Sequence, residues 1–356
     1  MYLILGFLIW LNISNAFNMH MKGPSSWSTK WDTLRFSIKE NARNWFVNKA
    51  VRSGIPWNEL YAKNVEAHDK INEYKEQIEN KDIIYPDYYL RPFHGYDDGN
   101  MIWKAAHEAE AATLSISIGY WDNIDPYEAQ EYMRNNITNN IKQYFRDLNL
   151  ELPNNILDVG CSIGISTEYL QRNFENSENI HGLDLSPYFI GMAEYRKNIQ
   201  NTNIQYSHGN GENMPYENSK FDLIVCNFLF HELPKEGANK IIKEIYNKLS
   251  YNGVVAIVDM DPSNLDKQLK GNVFRKWAFE STEPHIYNYY LRNTKEMLKN
   301  NGFEFIEKKQ NDPLNSIWLG HKHSNLQLQK INKEKNEKKR ENDKDTILSM
   351  KQFATI

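Results

Sequence analysis

One stretch constrains this chain more than any other: Ile156-Leu157-Asp158-Val159-Gly160-Cys161-Ser162-Ile163-Gly164-Ile165-Ser166-Thr167. It opens with an apolar run of the length of one buried strand, turns through two glycines, and enters Glu168-Tyr169-Leu170, which reads as the start of a helix. A strand that feeds a glycine turn and then a helix is a ligand loop. The glycines let backbone approach a bound molecule, and the helix N-terminus offers free N–H groups at the carboxyl end of the strand. An open α/β sheet built outward from this loop is the expected architecture.

Three motifs compete for the loop. The dinucleotide fingerprint G-x-G-x-x-G fails twice after Gly160, at Ser162 and at Ile165, which disfavours a nicotinamide cofactor. The same residues spell G-x-S-x-G, the nucleophile elbow of serine hydrolases, with Ser162 at the turn. That fold needs several strands ahead of the elbow, whereas the residues upstream of 153 read as helix and aromatic loop. The third reading is the D-x-G-x-G-x-G loop of the class I S-adenosylmethionine-dependent methyltransferases, which Asp158 to Gly164 resembles with Ser162 in place of the middle glycine. That replacement calls for a negative φ at Ser162.

The downstream spacing supports the third reading. The apolar run Ile180 to Leu183 ends in Asp184, 26 positions after Asp158 and suitable for the two ribose hydroxyls of a nucleoside. Ser186-Pro187 then supplies an N-cap and a first-turn proline. Gly209-Asn210-Gly211-Glu212-Asn213-Met214-Pro215 looks like the adenine-side loop of the same family. Phe221 to Asn227 resembles its fourth strand, and Phe228-Leu229-Phe230-His231-Glu232-Leu233-Pro234 the linker that follows. The resemblance is to the small-molecule, "type 11" branch and covers about residues 150 to 320.

That resemblance implies a Rossmann-like seven-stranded sheet flanked by helices, its final pair of strands antiparallel, with S-adenosylmethionine as cofactor. Residue by residue it implies that Gly160, Ser162 and Gly164 approach the methionine part of the donor and that Asp158 organises the loop. It further implies that Asp184 holds the ribose and Leu185 packs on the adenine. Asn210, Gly211 and Glu212 would line the adenine edge, Asn210 through its amide oxygen, and Asn227 would lie near the methionine amine or the acceptor. His231 is the nominated catalytic base, because imidazole titrates near working pH; Glu232, Asp259, Asp261 and His285 are weaker candidates. The acceptor implied is a small or lipid-like molecule. A non-catalytic donor-binding scaffold and a hydrolase using Ser162 are the other readings.

Ahead of the loop, residues 40–150 form an accessory segment rich in aromatics, from Trp45 and Trp57 to Tyr120 and Trp121, expected to be a mainly helical cap. A helix should run from Met101 to Ile118 and stop at Gly119. Another should start at the capping box Asp125-Pro126-Tyr127-Glu128 and run to about Arg146, with Tyr132, Met133, Ile137, Ile141, Tyr144 and Phe145 on one stripe. Residues 85–100 resemble the extension of a plastid or cyanobacterial-type sub-branch. The helix Lys235 to Leu249 carries Ala238, Ile241, Ile242, Ile245 and Leu249 in the rhythm of one buried face. Strands follow at Val254 to Val258, Phe303 to Ile306 and Ser316 to Gly320.

The net charge of −4 gives no general attraction to nucleic acid, and the two cysteines, Cys161 and Cys226, make no disulfide framework. No metal is implied: neither His107-Glu108 nor His231-Glu232 continues into H-E-x-x-H, and His94, Asp97 and Asp98 sit in a polar turn between glycines. Residues 1–17 resemble a secretory leader and residues 18–39 an organelle transit segment, basic, serine-bearing and poor in acids. Together they suggest a secretory-route address, a plastid among the destinations, with the endoplasmic reticulum or a signal anchor as alternatives. The methyltransferase domain is expected over 151–321, with no stable membrane span, and a charged, solvated tail over 322–356. Oligomeric state is not legible.

Overall fold

The computed structural model describes residues 43–323 apart from 93–95, 97, 119, 122, 271–279, 281 and 282. The leader and transit-like segments, most of the tail, His94, Asp97 and Gly119 therefore lie outside the described residues. The architecture below is that of the compact unit from Val47 onward.

Seven strands form one sheet: β1 (Asn155–Val159), β2 (Asn179–Asp184), β3 (Gln205–His208), β4 (Phe221–Asn227), β5 (Leu249–Met260), β6 (Glu304–Gln310) and β7 (Asn315–His321). Their order across the sheet is β3-β2-β1-β4-β5-β7-β6. β3, β2, β1, β4 and β5 are parallel, and β7 runs antiparallel to both β5 and β6. The final pair is therefore antiparallel as expected, with the last strand inserted between its two neighbours. The order reverses between β1 and β4, which opens a crevice at the carboxyl ends of those strands.

The helices are α1 (Trp57–Glu66), α2 (His68–Ile78), α3 (Trp103–Ser115), α4 (Pro126–Asp147), α5 (Ile165–Asn173), α6 (Pro187–Gln200), α7 (Lys235–Lys248), α8 (Pro262–Leu269), α9 (Ile286–Tyr290) and α10 (Thr294–Asn300). Local chemistry sets several of their ends. Asp125 caps α4 by accepting the Tyr127 N–H at 2.8 Å, with Pro126 in the first turn. Ser186 caps α6 through the Phe189 N–H, and Asn201 closes it in the left-handed conformation. Asn293 caps α10 through the Glu296 N–H at 3.1 Å.

Alternation along the strands divides the core in two. Leu157, Val159, Ile224, Cys226, Val255 and Ile257 face α7, whose Ile241, Ile242 and Ile245 are buried against them. Ile156, Leu223, Val225, Val254, Ala256 and Val258 face the opposite layer, where α4 contributes Ile137, Ile141, Tyr144 and Phe145 and α6 contributes Ile190. Helix α4, read from sequence as part of a cap, thus shares the core of the sheet. Its stripe is buried except for Tyr132, which is exposed. α1, α2 and α3 form the cap proper: Ile71, Ala105, Ala106 and Ala109 pack on Phe189 and Met192 of α6 and on Ile163 of the ligand loop.

Several boundaries depart from the sequence reading, among them the end of β6, which runs on to Gln310. α3 is shorter than expected at both ends. β5 begins at Leu249, immediately after α7, because pairing with β4 starts at Phe221; Asn252 then takes a left-handed turn within the strand. Lys322 and His323, assigned to the tail, belong to the folded unit: both are buried, and Lys322 Nζ donates to the carbonyls of Tyr246 at 2.7 Å and Leu249 at 2.6 Å.

Ile242 is fully buried between α7 and the sheet. Ile242→Ala should destabilise the protein by about 2–5 kcal/mol, through lost transfer energy plus the cavity left behind. Urea denaturation followed by circular dichroism measures this, and a loss below about 1 kcal/mol would mean that this layer is loosely packed.

Candidate active site at the ends of the central strands

β1 ends in the glycine turn, and the turn is sewn to β2. The N–H groups of Gly160 and Cys161 donate to the Leu183 carbonyl at 2.8 and 3.1 Å, and the Ser162 N–H donates to Asp184 Oδ2 at 2.8 Å. Three left-handed residues make the turn: Gly160 at φ 74°, Ser162 at φ 52° and Gly164 at φ 85°. The expectation of a negative φ at Ser162 is therefore wrong. Its backbone follows the glycine conformation of the motif, held there by the bond to Asp184, at the steric cost that a non-glycine residue carries in that region. Gly164 admits no side chain, since a Cβ would collide with the Tyr206 phenol.

Asp158 is fully buried behind the turn. Its Oδ2 accepts the hydroxyls of Ser166 at 2.5 Å and Thr167 at 2.8 Å, and its Oδ1 faces the Asn227 amide at 3.4 Å. Burial pushes its pKa up, and these hydrogen bonds together with the Arg134 charge pull it back. Asp158 thus ties β1, α5 and β4 together. Asn227 Oδ1 is buried with no hydrogen-bond partner.

Asp184 stands at the tip of β2, beside the loop, as the motif spacing requires. Its two oxygens accept the N–H groups of Ser162 and Ser186, each at 2.8 Å. Burial raises its pKa to about 6 against the opposing pull of those donors. Leu185 is half-buried, and its carbonyl accepts the Nε2–H of His208 at 3.0 Å. The ring's Nδ1 accepts the Asn80 N–H at 3.0 Å, which fixes that tautomer.

In the adenine-side loop the polar side chains make bonds within the protein that the sequence reading did not include. The Asn210 amide oxygen accepts the Glu212 N–H at 2.8 Å and so closes the local turn. Glu212 is claimed on both oxygens, by the Tyr88 hydroxyl at 2.7 Å and by Lys240 Nζ at 2.8 Å. It fastens the cap to the sheet. Gly211 lies close to Val159 and Ile241, where a Cβ would be tight.

His231 occupies a short 3₁₀ turn, Phe230–Glu232, after β4. Its Nδ1 lies 2.8 Å from Asp259 Oδ1, and its backbone N–H donates to Asp259 Oδ2 at 2.9 Å. Arg292 clamps the same turn by donating to the carbonyls of Phe230 at 2.6 Å and Leu233 at 2.8 Å. Burial works against the charged imidazole, yet Asp259, with Glu283 and Glu232 nearby, raises its pKa to about 10. Asp259 thus orients the imidazole through Nδ1 and raises its proton affinity above that of an ordinary histidine, a departure from the expected titration near neutrality. Burial pushes Glu232 and Glu283 in the same direction, Glu283 to about 7. Asp261 lies apart from the turn, capping α8 and paired with Lys308 at 2.6 Å. His285 packs edge-on against Tyr88.

Sequence reasoning missed the residues that tie the cap to the site. Tyr85 lies 3.2 Å from His208 Nε2, and Tyr88 reaches Glu212. Arg134, Arg292 and Glu283 also escaped, since they meet the site only through packing of distant segments. Ser166 and Thr167 carried a signal, two hydroxyls in the first turn after the loop. Cys161 and Cys226 are buried free thiols, and among the described residues no group of three or more His, Cys, Asp or Glu side chains could hold a metal ion.

Strand order, a glycine turn after the first strand and an acid at the tip of the second define the Rossmann-like methyltransferase fold. Residues 156–253 match the family model described as a methyltransferase domain. Among curated proteins, the demethylmenaquinone methyltransferase of Lactobacillus johnsonii is 29% identical over 126 residues, 35% of this chain and 51% of that protein. An uncharacterized methyltransferase of Synechocystis sp. is 31% identical over 110 residues, 31% of this chain and 49% of that protein. The phthiotriol/phenolphthiotriol dimycocerosates methyltransferase of Mycobacterium leprae is 29% identical over 109 residues, 31% and 38% of the two chains. The chain thus spans about half the length of these relatives, or less. A phosphoethanolamine N-methyltransferase 2 of Haemonchus contortus, solved with S-adenosyl-L-methionine, superposes with TM-score 0.41 at 16% identity over 52% of each chain. The fold assignment rests on the strand order itself.

The His231–Asp259 pair has a measurable signature. The imidazole pKa rises from 6.5 to about 10 on folding, so its contribution to stability is fully present below pH 6.5 and is lost as pH rises toward 10. Asp259→Asn should lower the thermal midpoint most near pH 6.5, and its deficit relative to wild type should shrink toward pH 10. Parallel pH profiles for the two proteins would show that the pair carries no charge.

Proposed function

We propose that this chain is an S-adenosylmethionine-dependent methyltransferase acting on a small or lipid-like acceptor. One observation carries the reading: Asp158, the glycine turn, Asp184 and Asn227 converge at the carboxyl ends of β1, β2 and β4, where the strand order reverses. The residues fit the donor. The turn presents backbone with no room for a side chain at Gly164, Asp184 retains free acceptor lone pairs beside it, and Asn227 Oδ1 awaits a donor. The named methyltransferases among the relatives support an acceptor of quinone-like or lipid-like chemistry, as do the tyrosines of the segment between α2 and α3.

The bound sulfonium would supply an activated methyl group and a good leaving group. What the chain contributes is orientation, exclusion of water and charge placement. Asp184 would fix the nucleoside, and the cap would cover the reacting atoms through Tyr85 and Tyr88. Asp259 orients His231 through Nδ1 and raises its proton affinity, so the protonated imidazole would supply a positive charge that favours an ionised acceptor oxygen. An acceptor with an acidic hydroxyl, such as an enol or phenol, suits that arrangement.

Among the described residues no helix is long and apolar enough to cross a membrane. Targeting through the secretory route rests on residues 1–39 alone and is part of the same proposal.

Calorimetric titration of S-adenosylhomocysteine tests the reading. Wild type should bind it saturably, and Asp184→Ala should weaken binding by about tenfold or more, the worth of one or two hydrogen bonds to a charged acceptor. Absence of saturable binding by the folded wild-type protein would overturn it.

A further inference from the structure

His208, the last residue of β3, is buried and joins the cap to the sheet through two ring nitrogens with opposite roles. Its Nε2–H donates to the Leu185 carbonyl at 3.0 Å, with the Tyr85 oxygen 3.2 Å away. Leu185 follows Asp184, so this arm ends one residue from the acid beside the glycine turn. Nδ1 accepts the Asn80 N–H at 3.0 Å. Asn80 is the second residue after α2, and its Oδ1 accepts the Asp82 N–H at 3.0 Å. The turn that sends the chain toward Tyr85 and Tyr88 therefore starts on the imidazole. Farther along, Tyr88 fastens the segment to Glu212 at 2.7 Å and lies edge-on to His285.

Only one of the two arms survives a proton. Protonation gives Nδ1 an N–H that faces the Asn80 N–H, donor against donor, while the bond to Leu185 is kept. The ring then stays with the sheet and the cap segment loses its first anchor. The surroundings leave this proton unwelcome: burial pushes His208 below the ordinary 6.5, the Leu185 bond and Glu79 oppose that shift, and Lys75 adds to it. Lys75 and Glu79, both at the α2 end, pair with one another at 2.7 Å. Tyr85 is pushed up to about 12 by burial and is neutral. Asp184, the register partner of His208 on β2, gives its oxygens to the Ser162 and Ser186 N–H groups. His208 thus differs from His231, whose ring is bonded to a carboxylate.

We propose that His208 is a positioning residue that works as a proton-controlled latch: its neutral ring holds the segment of Tyr85 and Tyr88 against the nucleoside side of the crevice, and a proton on Nδ1 releases that segment. For what lies beneath the segment, the inference rests on the methyltransferase reading. The released ring titrates at the ordinary 6.5 and the latched ring below it. Closure is therefore fully present above pH 6.5 and weakens as pH falls, by about tenfold per unit until the lowered value is reached. The segment that covers the nucleoside is tied to the sheet at a group that senses acid, while the sheet and its glycine turn keep their own bonds.

The test is hydrogen–deuterium exchange of the amides of residues 80–92 in the full chain, wild type against His208→Asn. The Asn amide oxygen takes the place of Nδ1 as acceptor for the Asn80 N–H and does not titrate. The two proteins should exchange this segment alike near neutral pH. At about pH 5.5, one unit below 6.5, wild type should exchange it about tenfold faster than the variant, with α7 equally protected in both. Equal exchange at the acid pH would overturn the inference. Where the variant fails to fold, wild type alone decides: after correction for intrinsic exchange, the segment must lose protection in acid relative to α7, and parallel behaviour of the two overturns the latch. Calorimetry with S-adenosylhomocysteine then tests the positioning role, since titration of Asp184 is common to both proteins. Affinity should fall about tenfold more in wild type than in His208→Asn over the same pH step, and equal losses would overturn that role. The exchange comparison needs no donor, so wild type that latches but binds no S-adenosylhomocysteine at neutral pH overturns the methyltransferase reading and the positioning role together, and supports the latch.

Discussion

The site depends on the buried carboxylate of Asp158. It sits at the end of β1, takes two hydroxyls from the first turn of α5 and an amide from the end of β4, and so fixes the angle at which the glycine turn leaves the sheet. A charged group so deep is tolerable only because its acceptor sites are filled. Asp184 repeats the device one strand over, spending its two oxygens on backbone N–H groups of the loop and of α6. These two acids pin the glycine turn to the strands and helices around it.

Around that receptor the cap is attached at a few polar points on an otherwise apolar contact. Glu212 takes Tyr88 and Lys240, and His208 takes the Asn80 N–H and donates to Leu185, so the tips of β3 and of the following loop hold the segment between α2 and α3. Residues that sequence matching assigned to the adenine edge thus also serve attachment. Asp259 and Arg292 immobilise the turn that carries His231, and the same bonds that position the imidazole raise its proton affinity. Position and proton affinity cannot be chosen separately when one carboxylate sets both.

The sequence determined the strands, the turn that joins β1 to α5, and the positions of Asp158 and Asp184, because these follow from short-range patterns: apolar runs of strand length, glycines where φ is positive, and acids at strand ends. It also determined the buried face of α7 and the stripe of α4, since helical period and burial coincide there. Tyr132 left the stripe because the period places it at the margin, where the neighbouring layer decides.

Only the tertiary structure decided what each polar side chain does. Asn210 and Glu212 stood at ligand-edge positions, yet their partners, the Glu212 N–H, Tyr88 and Lys240, come from the fold of the turn and from elements as far as 124 positions away. His231 has an ordinary imidazole in the sequence; its charge follows from Asp259, brought beside it by the pairing of β4 with β5. Arg134 carries no local signal at all, because its place at the ends of β1 and β4 arises from α4 packing against the sheet. Patterns along a chain report which groups are buried and which way they face. The pairing of charges and hydrogen-bonding groups acts between segments remote in sequence, so it is fixed only when those segments meet.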